Sequence, residues 1–359
     1  MIDYIEVLDS SRELVGIIDT AQSIIWHDVF FGCGDFEIYA KAEPYIIELL
    51  QNPYIKRPDL DVIGVIERIE IGYNIQDGLM ITASGRFAKS ILDRRLIYQL
   101  SGHTNTPTYL SGKVEQAVRT VVSNNAISTG NSARNIGIIQ LGIYKNYPEI
   151  ILSSSGTAAK KQVSYQNLLE YTDSVLQEYG MSARLILDND TKMLKYEVTK
   201  GTDRSVDNSA EPVIFSQDYD NLTESDYVKD SSQMRNVALI GGAGEGEERY
   251  YSIIEDNSAG LARREIFIDA SSSENDTGED YDSILKAQGR QELSLLKEIE
   301  SFSGTINLEY SPWKLNKDFF LGDIVTVQYN QIMKYINVRI TEVTEIQDEN
   351  GYNVEVVYE

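Results

Sequence analysis

Two stretches far apart in the chain carry the same plan. GVIERIEIGYNIQDGLMITASG, residues 64–85, sets Val65, Ile66, Ile69 and Ile71 before a turn at Gln76-Asp77-Gly78, and Leu79, Ile81 and Ala83 alternate back. NVRITEVTEIQDENGYNVEVVY, residues 337–358, does the same around Asp348-Glu349-Asn350-Gly351. Period-two alternation around an Asp/Asn-Gly turn predicts an antiparallel hairpin with one face buried. A chain that begins and ends this way is committed to strand-rich units at both ends.

Between these ends the period changes. Before residue 100 the sequence reads as short strands, with a hairpin turn at Asp9-Ser10-Ser11-Arg12 and a covering helix from Pro44 to Leu50. This region resembles a small barrel or sandwich. From about residue 106 the spacing is helical: Val114, Ala117, Val118, Val121 and Val122 share a face, with Ser111 or Gly112 as the start. A second helix follows, with Ser164 as N-cap, a stripe of Leu168, Leu169, Thr172, Val175, Leu176 and Tyr179, and Gly180 just past its end. A hairpin then turns at Asp188-Asn189-Asp190. Helix followed by hairpin reads as an α+β unit. The polar run at 201–212 marks a boundary, and residues 269–282 read as an acidic, poorly structured linker. A helix starting near Asp282 is expected to carry Ile284, Leu285, Leu293, Leu296, Ile299 and Phe302. Strands return after it. With 359 residues, about two to four domains are expected.

Composition removes several function classes. The net charge of −24 opposes binding to DNA or to anionic membranes. Cys33 is the only cysteine, and His27 and His103 are the only histidines, too few for the common zinc sites. The N-terminus lacks the basic-then-apolar pattern of a secretory signal, and apolar runs are too short to span a bilayer, so a soluble product of a cytoplasm is expected. NVALIGGAGEGEERYYSIIED, residues 236–256, invites comparison with a dinucleotide-binding turn, but the glycine spacing is wrong. Glu245, Glu247 and Glu248 repel phosphate, and a strand rather than a helix follows. A hairpin loop is expected there. His27 and His103 read as structural or surface histidines, and Cys33 as a small residue in a tight turn. DNDTK at 188–192 lacks the later ligands of a calcium loop, where Met193 and Thr199 stand. No catalytic, cofactor-binding or metal-binding residue is assigned, and no enzyme is expected.

Several segments together resemble the tail hub proteins of long-tailed phages, a family related to the baseplate hubs of contractile tails. The first is Gly64 to Ile97, closing with Gly85-Arg86 and Arg94-Arg95. The central one runs from Val213 to Ile254 and contains Asp218, Asn221, Leu222, Asn236 and Arg249. GLARREIFIDA follows with Arg264-Glu265 and Asp269, and FFLGDIVTV with Leu321, Gly322 and Asp323. The resemblance implies an α+β, β-rich fold with two similar β-barrel domains, an α+β domain between them and a small helix-containing insertion. The expected boundaries are 1–105 and 206–250 with 303–359 for the barrels, 106–205 for the α+β domain and 251–302 for the insertion. It further implies a non-catalytic homotrimer in the virion tail, adapting a sixfold tube to a threefold tip. A distal tail protein and the tail tube would lie above, and a fibre, spike or receptor-binding apparatus below; tape measure protein is a further candidate partner, and DNA only passes through the lumen. Some relatives carry a C-terminal lytic domain; this sequence stops at Glu359 after the last hub-like strands, so any tip enzyme is expected on another polypeptide. Arg249 is expected in a structural or inter-subunit ion pair. The rival reading is a virion-borne carbohydrate-binding or glycan-cleaving protein, whose cleft would draw on Trp26 and Trp313.

Overall fold

The structure is a computed structural model; it describes residues 2–101, 103–152, 158–209, 211–271, 273, 280–306, 311–329 and 334–358. In the first region the strands are β1 (Ile5–Leu8), β2 (Leu14–Ile18), β3 (Ala21–Val29), β4 (Asp35–Lys41), β5 (Tyr54–Lys56), β6 (Ile63–Asn74) and β7 (Gly78–Phe87), with helix α1 (Pro44–Leu49) before β5. Each hairpin forms where turn chemistry and alternation coincide. Asp9 Oδ1 accepts from Ser11 N at 2.8 Å and Glu13 N at 3.0 Å, and Arg12 takes the left-handed φ of 66° that closes the β1–β2 turn. In β6–β7, Asn74 faces Gly78, whose φ is +81°. A bulge between Ile66 and Arg68 brings the Val65 carbonyl so close to Gly85 that a Cβ there would sit 1.9 Å from it. Only glycine fits.

The middle region holds β8 (Leu100–Ser101), β9 (Thr104–Asn105), β10 (Thr108–Ser111), α2 (Val114–Val122), β11 (Ile139–Leu141), β12 (Lys160–Val163), α3 (Leu168–Glu178), β13 (Ser182–Leu187) and β14 (Leu194–Thr199). The predicted apolar stripes of both helices lie in its core. Two starts differ from the sequence reading. Helix α2 begins after Lys113, because Ser111 is held in β10 and Gly112 has a φ of +75°. Helix α3 is capped by Asn167, whose Oδ1 accepts from Leu169 N and Glu170 N; Ser164 instead takes a hydrogen bond from Asn105 Nδ2.

The last region contains β15 (Ile214–Ser216), β16 (Leu222–Asp230), β17 (Val237–Gly241), β18 (Tyr251–Ile254), β19 (Glu265–Asp269), α4 (Tyr281–Leu295), β20 (Ile299–Ile306), β21 (Ile324–Tyr329), β22 (Lys334–Asp348) and β23 (Gly351–Tyr358). Helix α4 stops at Leu295, so Ile299 and Phe302 lie on a strand, contrary to the sequence reading. The Ser301-Phe302-Ser303-Gly304-Thr305 run is poor in helix formers, and β20 gains two partners, β16 and β23. Half of the linker expected at 269–282 lies outside the described residues.

The two ends of the chain share one sheet, in the order β16-β20-β23-β22-β3-β4-β7-β6-β5-β1-β2, with β21 also on β22 and β15 on β21. The seam is β3 against β22, Ile24–Val29 facing Gln347–Glu342. The mixed α+β, strand-rich class expected from sequence is what the chain has. Among the described residues the strand path is open, ending at β2 and β16. One core lies under the first sheet around Trp26, Phe36 and Phe87, and one under the last hairpin around Phe215, Phe319 and Tyr358. Tyr352 touches both.

Candidate functional site

The residues with chemical potential are mostly committed to structure. The glycine cluster links β17 to the antiparallel strand β18, with Gly244 at φ +99° and Gly246 at φ +56°. Arg249 fills the loop: its Nε donates to Gly242 O at 3.1 Å, and its Nη2 to Gly241 O at 3.0 Å and Asp269 Oδ1 at 2.6 Å. The ion pair expected of Arg249 is therefore made within the chain. Where a nucleotide site would need a helix N-terminus, the loop has a three-residue 3₁₀ turn, Gly246–Glu248. Cys33 packs against two cores, and its Sγ lies 3.4 Å from Phe87 O. Burial pushes its thiol up to about 11, away from the thiolate a nucleophile needs. Asp188 spends Oδ1 on Asp190 N and Thr191 N, both at 3.0 Å, and Oδ2 on Lys195. The calcium-like stretch is thus a turn. His103 is exposed in a loop. Trp26 is 1% exposed, and half-buried Trp313 meets Phe215 and Tyr219 edge-on.

His27 is the exception in kind. It lies half-buried on the seam, with Nδ1 3.2 Å from Asp35 Oδ2 and Nε2 3.2 Å from Glu342 Oε2. Burial alone would lower its pKa, but the two carboxylates outweigh burial and raise it above 6.5. Beneath the same seam, Arg57 is buried. Its Nη1 donates to Glu345 Oε1 at 2.6 Å, its Nε and Nη2 grip Asp59, and its guanidinium lies 5.7 Å from the Trp26 ring. Tyr352 donates its hydroxyl to the other Glu345 oxygen. Nothing in the local pattern YIKRPDLD signals this network.

The quoted hub-like residues of the last region gather in two places. Asn236, Arg249, Arg264, Glu265 and Asp269 surround the three-stranded sheet β18-β17-β19; Asn236 Oδ1 accepts from Arg264 N at 2.8 Å, and its Nδ2 reaches Ala262 O at 2.9 Å. Gly322 and Asp323 close onto residues 201–204. Buried Asp323 accepts from Thr202 N at 2.7 Å, Arg204 Nε at 2.6 Å and Phe320 N at 3.0 Å. A Cβ on Gly201 would lie 1.9 Å from Gly322 O. Asn221, also buried, holds Ser216 N and Ile214 O. Leu222 is buried at the start of β16, Leu321 packs on the core around Phe215 and Phe319, and Asp218 lies at the Gln328 amide. Arg86 clamps Glu67 at the bulge and reaches Asp93, and Arg95 donates to Arg134 O. These are fold-holding positions.

What remains open is a strand edge. β5 covers β6 only from Ile63 to Val65. Beyond Ile66, whose N–H donates to Pro53 O at 2.9 Å, no strand pairs with the outer side of β6 among the described residues. Its core-facing row runs past the core: Ile69, Ile71 and Tyr73 are 36%, 47% and 73% exposed, although their neighbours Ala83 and Ile81 are buried. Ile75 at the tip is 92% exposed. The terminal strand β2 adds Leu14, Val15 and Ile17, all exposed. An uncovered apolar edge of this length is a template for pairing with another chain.

A family model for the Siphovirus ReqiPepy6 Gp37-like protein matches residues 4–358. The chain belongs to that family. The phage-tail resemblance carried by the sequence segments is thereby established, and the Gp37-like chain is a phage tail protein. Solved structures share its fold, three tail proteins among them. The 43 kDa tail protein of prophage MuSo2 from Shewanella oneidensis has a TM-score of 0.59 at 12% identity, over 99% of this chain and 98% of that one. A tail protein from Neisseria meningitidis MC58 has 0.56 at 12%, over 99% and 95%. Prophage tail protein gp18 from Listeria monocytogenes EGD-e has 0.52 at 13%, over 99% and 94%. No curated protein matches the chain. No helix of the described residues is long and apolar enough to cross a membrane.

Proposed function

We propose that this Gp37-like chain is the structural hub of the phage tail tip, working as a homotrimer and without catalysis. In this reading residues 1–105 form one barrel-like tube domain, and 206–250 with 303–359 form a second. Two such units per chain and three chains make a pseudo-sixfold ring that meets the sixfold tail tube, while the α+β domain of 106–205 and the insertion of 251–302 follow threefold symmetry. The distal tail protein and tube sit above, and the fibre, spike or receptor-binding apparatus below. Tape measure protein and DNA pass through the lumen. A net charge of −24 keeps that passage from holding DNA.

The observation that carries the reading is the uncovered β6 edge with its apolar row, Ile69, Ile71 and Tyr73. Strand pairing across subunits would satisfy its backbone groups and bury its side chains, with closed symmetry leaving no edge free. Ile69→Lys with Ile71→Lys tests it. Both sites are already half-open to solvent, so the isolated chain should keep its circular dichroism spectrum. Tail reconstitution with the distal tail protein, read by negative-stain microscopy and light scattering, should fall at least about tenfold. Normal incorporation of the double variant would sink the proposal.

A further inference from the structure

The loops after the first sheet and the end of α2 frame a cleft of about 450 Å³ that takes no part in the edge described above. A π-helical turn, Ser123–Ile127, forms one wall, an irregularity frequent at functional sites. The frame is braced. Asn125 Oδ1 accepts from Tyr98 N at 3.2 Å and its Nδ2 donates to Val121 O at 2.9 Å. Arg134 lies 3.8 Å over the Tyr98 ring and donates to Tyr98 O at 3.2 Å and Leu96 O at 2.6 Å. On this frame Gln99, Thr108, Asn124 and Ser128 line the cleft, and their side chains make no hydrogen bond among the described residues.

Charge narrows the ligand. The chain has 56 acidic residues, yet none lines the cleft, so a cation finds no carboxylate to balance its charge. Its one cationic residue, Arg134, is already committed to backbone carbonyls, and the surrounding net charge opposes an anion. A peptide would seek a free strand edge or an apolar pocket. What the walls offer is amides and hydroxyls that both donate and accept, beside the Tyr98 ring and the exposed Leu100. We propose that this cleft is a binding subsite for a neutral, hydroxyl-rich saccharide. Ring hydroxyls would pair with Gln99, Asn124, Thr108 and Ser128, and the C–H faces would rest on Tyr98 and Leu100. The volume lies within the range of ligand sites, about 300–1,000 Å³.

The test titrates the full-length protein with neutral trisaccharides built from glucose, galactose, mannose or N-acetylglucosamine, and with a sulfated trisaccharide, by saturation-transfer difference NMR. At least one neutral trisaccharide should saturate. Gln99→Ala and Asn124→Ala should each weaken it by roughly tenfold, with an unchanged melting temperature because both side chains are exposed and unpartnered. The proposal fails if no neutral trisaccharide saturates, if only the sulfated one does, or if both variants bind as the wild type does.

Discussion

His27 shows how one side chain can make a seam respond to pH. Its ring nitrogens face carboxylates from two different strands, Asp35 on β4 and Glu342 on β22. The groups near it along the sheet are Arg86 opposite Asp35, already engaged by Glu67 and Asp93, and Thr344 and Glu355 across the seam. The carboxylates raise its pKa above 6.5 in the folded chain. The stabilisation is therefore fully present below pH 6.5 and is lost as pH rises through the raised folded value. The Asp35 and Glu342 side chains are 56% and 41% exposed, so solvent screens them and the effect is modest, up to about 1 kcal/mol. Urea unfolding of wild type and His27→Asn should differ by that amount near about pH 5.5 and converge near about pH 8.5; an equal gap at both values would reject the account. Sequence alone identified His27 as structural or superficial. It could not pick out the acids: Asp35 lies on the next strand, β4, among many other carboxylates, and Glu342 arrives from β22 at the other end of the chain.

At the scale of elements, legibility followed local signals. Hairpins were readable because alternation and turn residues lie next to each other, as in β6–β7 and β22–β23. Helix bodies were readable from their stripes. Helix ends were misjudged where two candidates competed: Ser164 and Asn167 are both good caps, but Asn167 also reaches back to Asp93, with Nδ2 2.9 Å from both the main-chain O and Oδ1. That anchor fixes where α3 starts. Asn167→Ala should cost about 1 kcal/mol for the cap and more for the lost Asp93 contacts, whereas Ser164→Ala should cost little. Melting curves of the two variants separate the assignments; equal losses would contradict them. Helix α4 was overextended for another reason. Leu296, Ile299 and Phe302 keep a helical spacing, and only the pairing of β20 with β16 and β23, invisible locally, turns the last of them into strand.

At the scale of the molecule, the least legible feature is that the first and last strand groups share a sheet. The two hairpins announced themselves separately; nothing in either announced the β3–β22 pairing. Buried charge lies under that pairing and ties β22 to the segment after β5. Arg57 and Glu345 have side chains only 2% and 5% exposed, and Tyr352 and Trp26 close the site around them. Removing one partner of a buried pair strands the other, at about 3–5 kcal/mol. Asp59 still holds the guanidinium, so Glu345→Ala should lie near the lower end, about 3 kcal/mol, in denaturant unfolding. The location of the loss is the sharper reading. Amides of Ile24–Val29 and Glu342–Gln347 should exchange faster in the variant, while those of α3, β13 and β14 stay protected, because the middle core does not touch the pair. Glu345→Gln keeps the shape and an acceptor for Tyr352, so it should fall between wild type and Glu345→Ala. Uniform acceleration of exchange across all regions would mean that Arg57–Glu345 supports the whole fold rather than the joint between its two ends. If that joint is specific, the proposed hub would depend on it: the first and last strand groups of one chain would keep their register with help from this buried ion pair, and assembly of the Glu345→Ala chain should suffer before the α2–α3 region loosens.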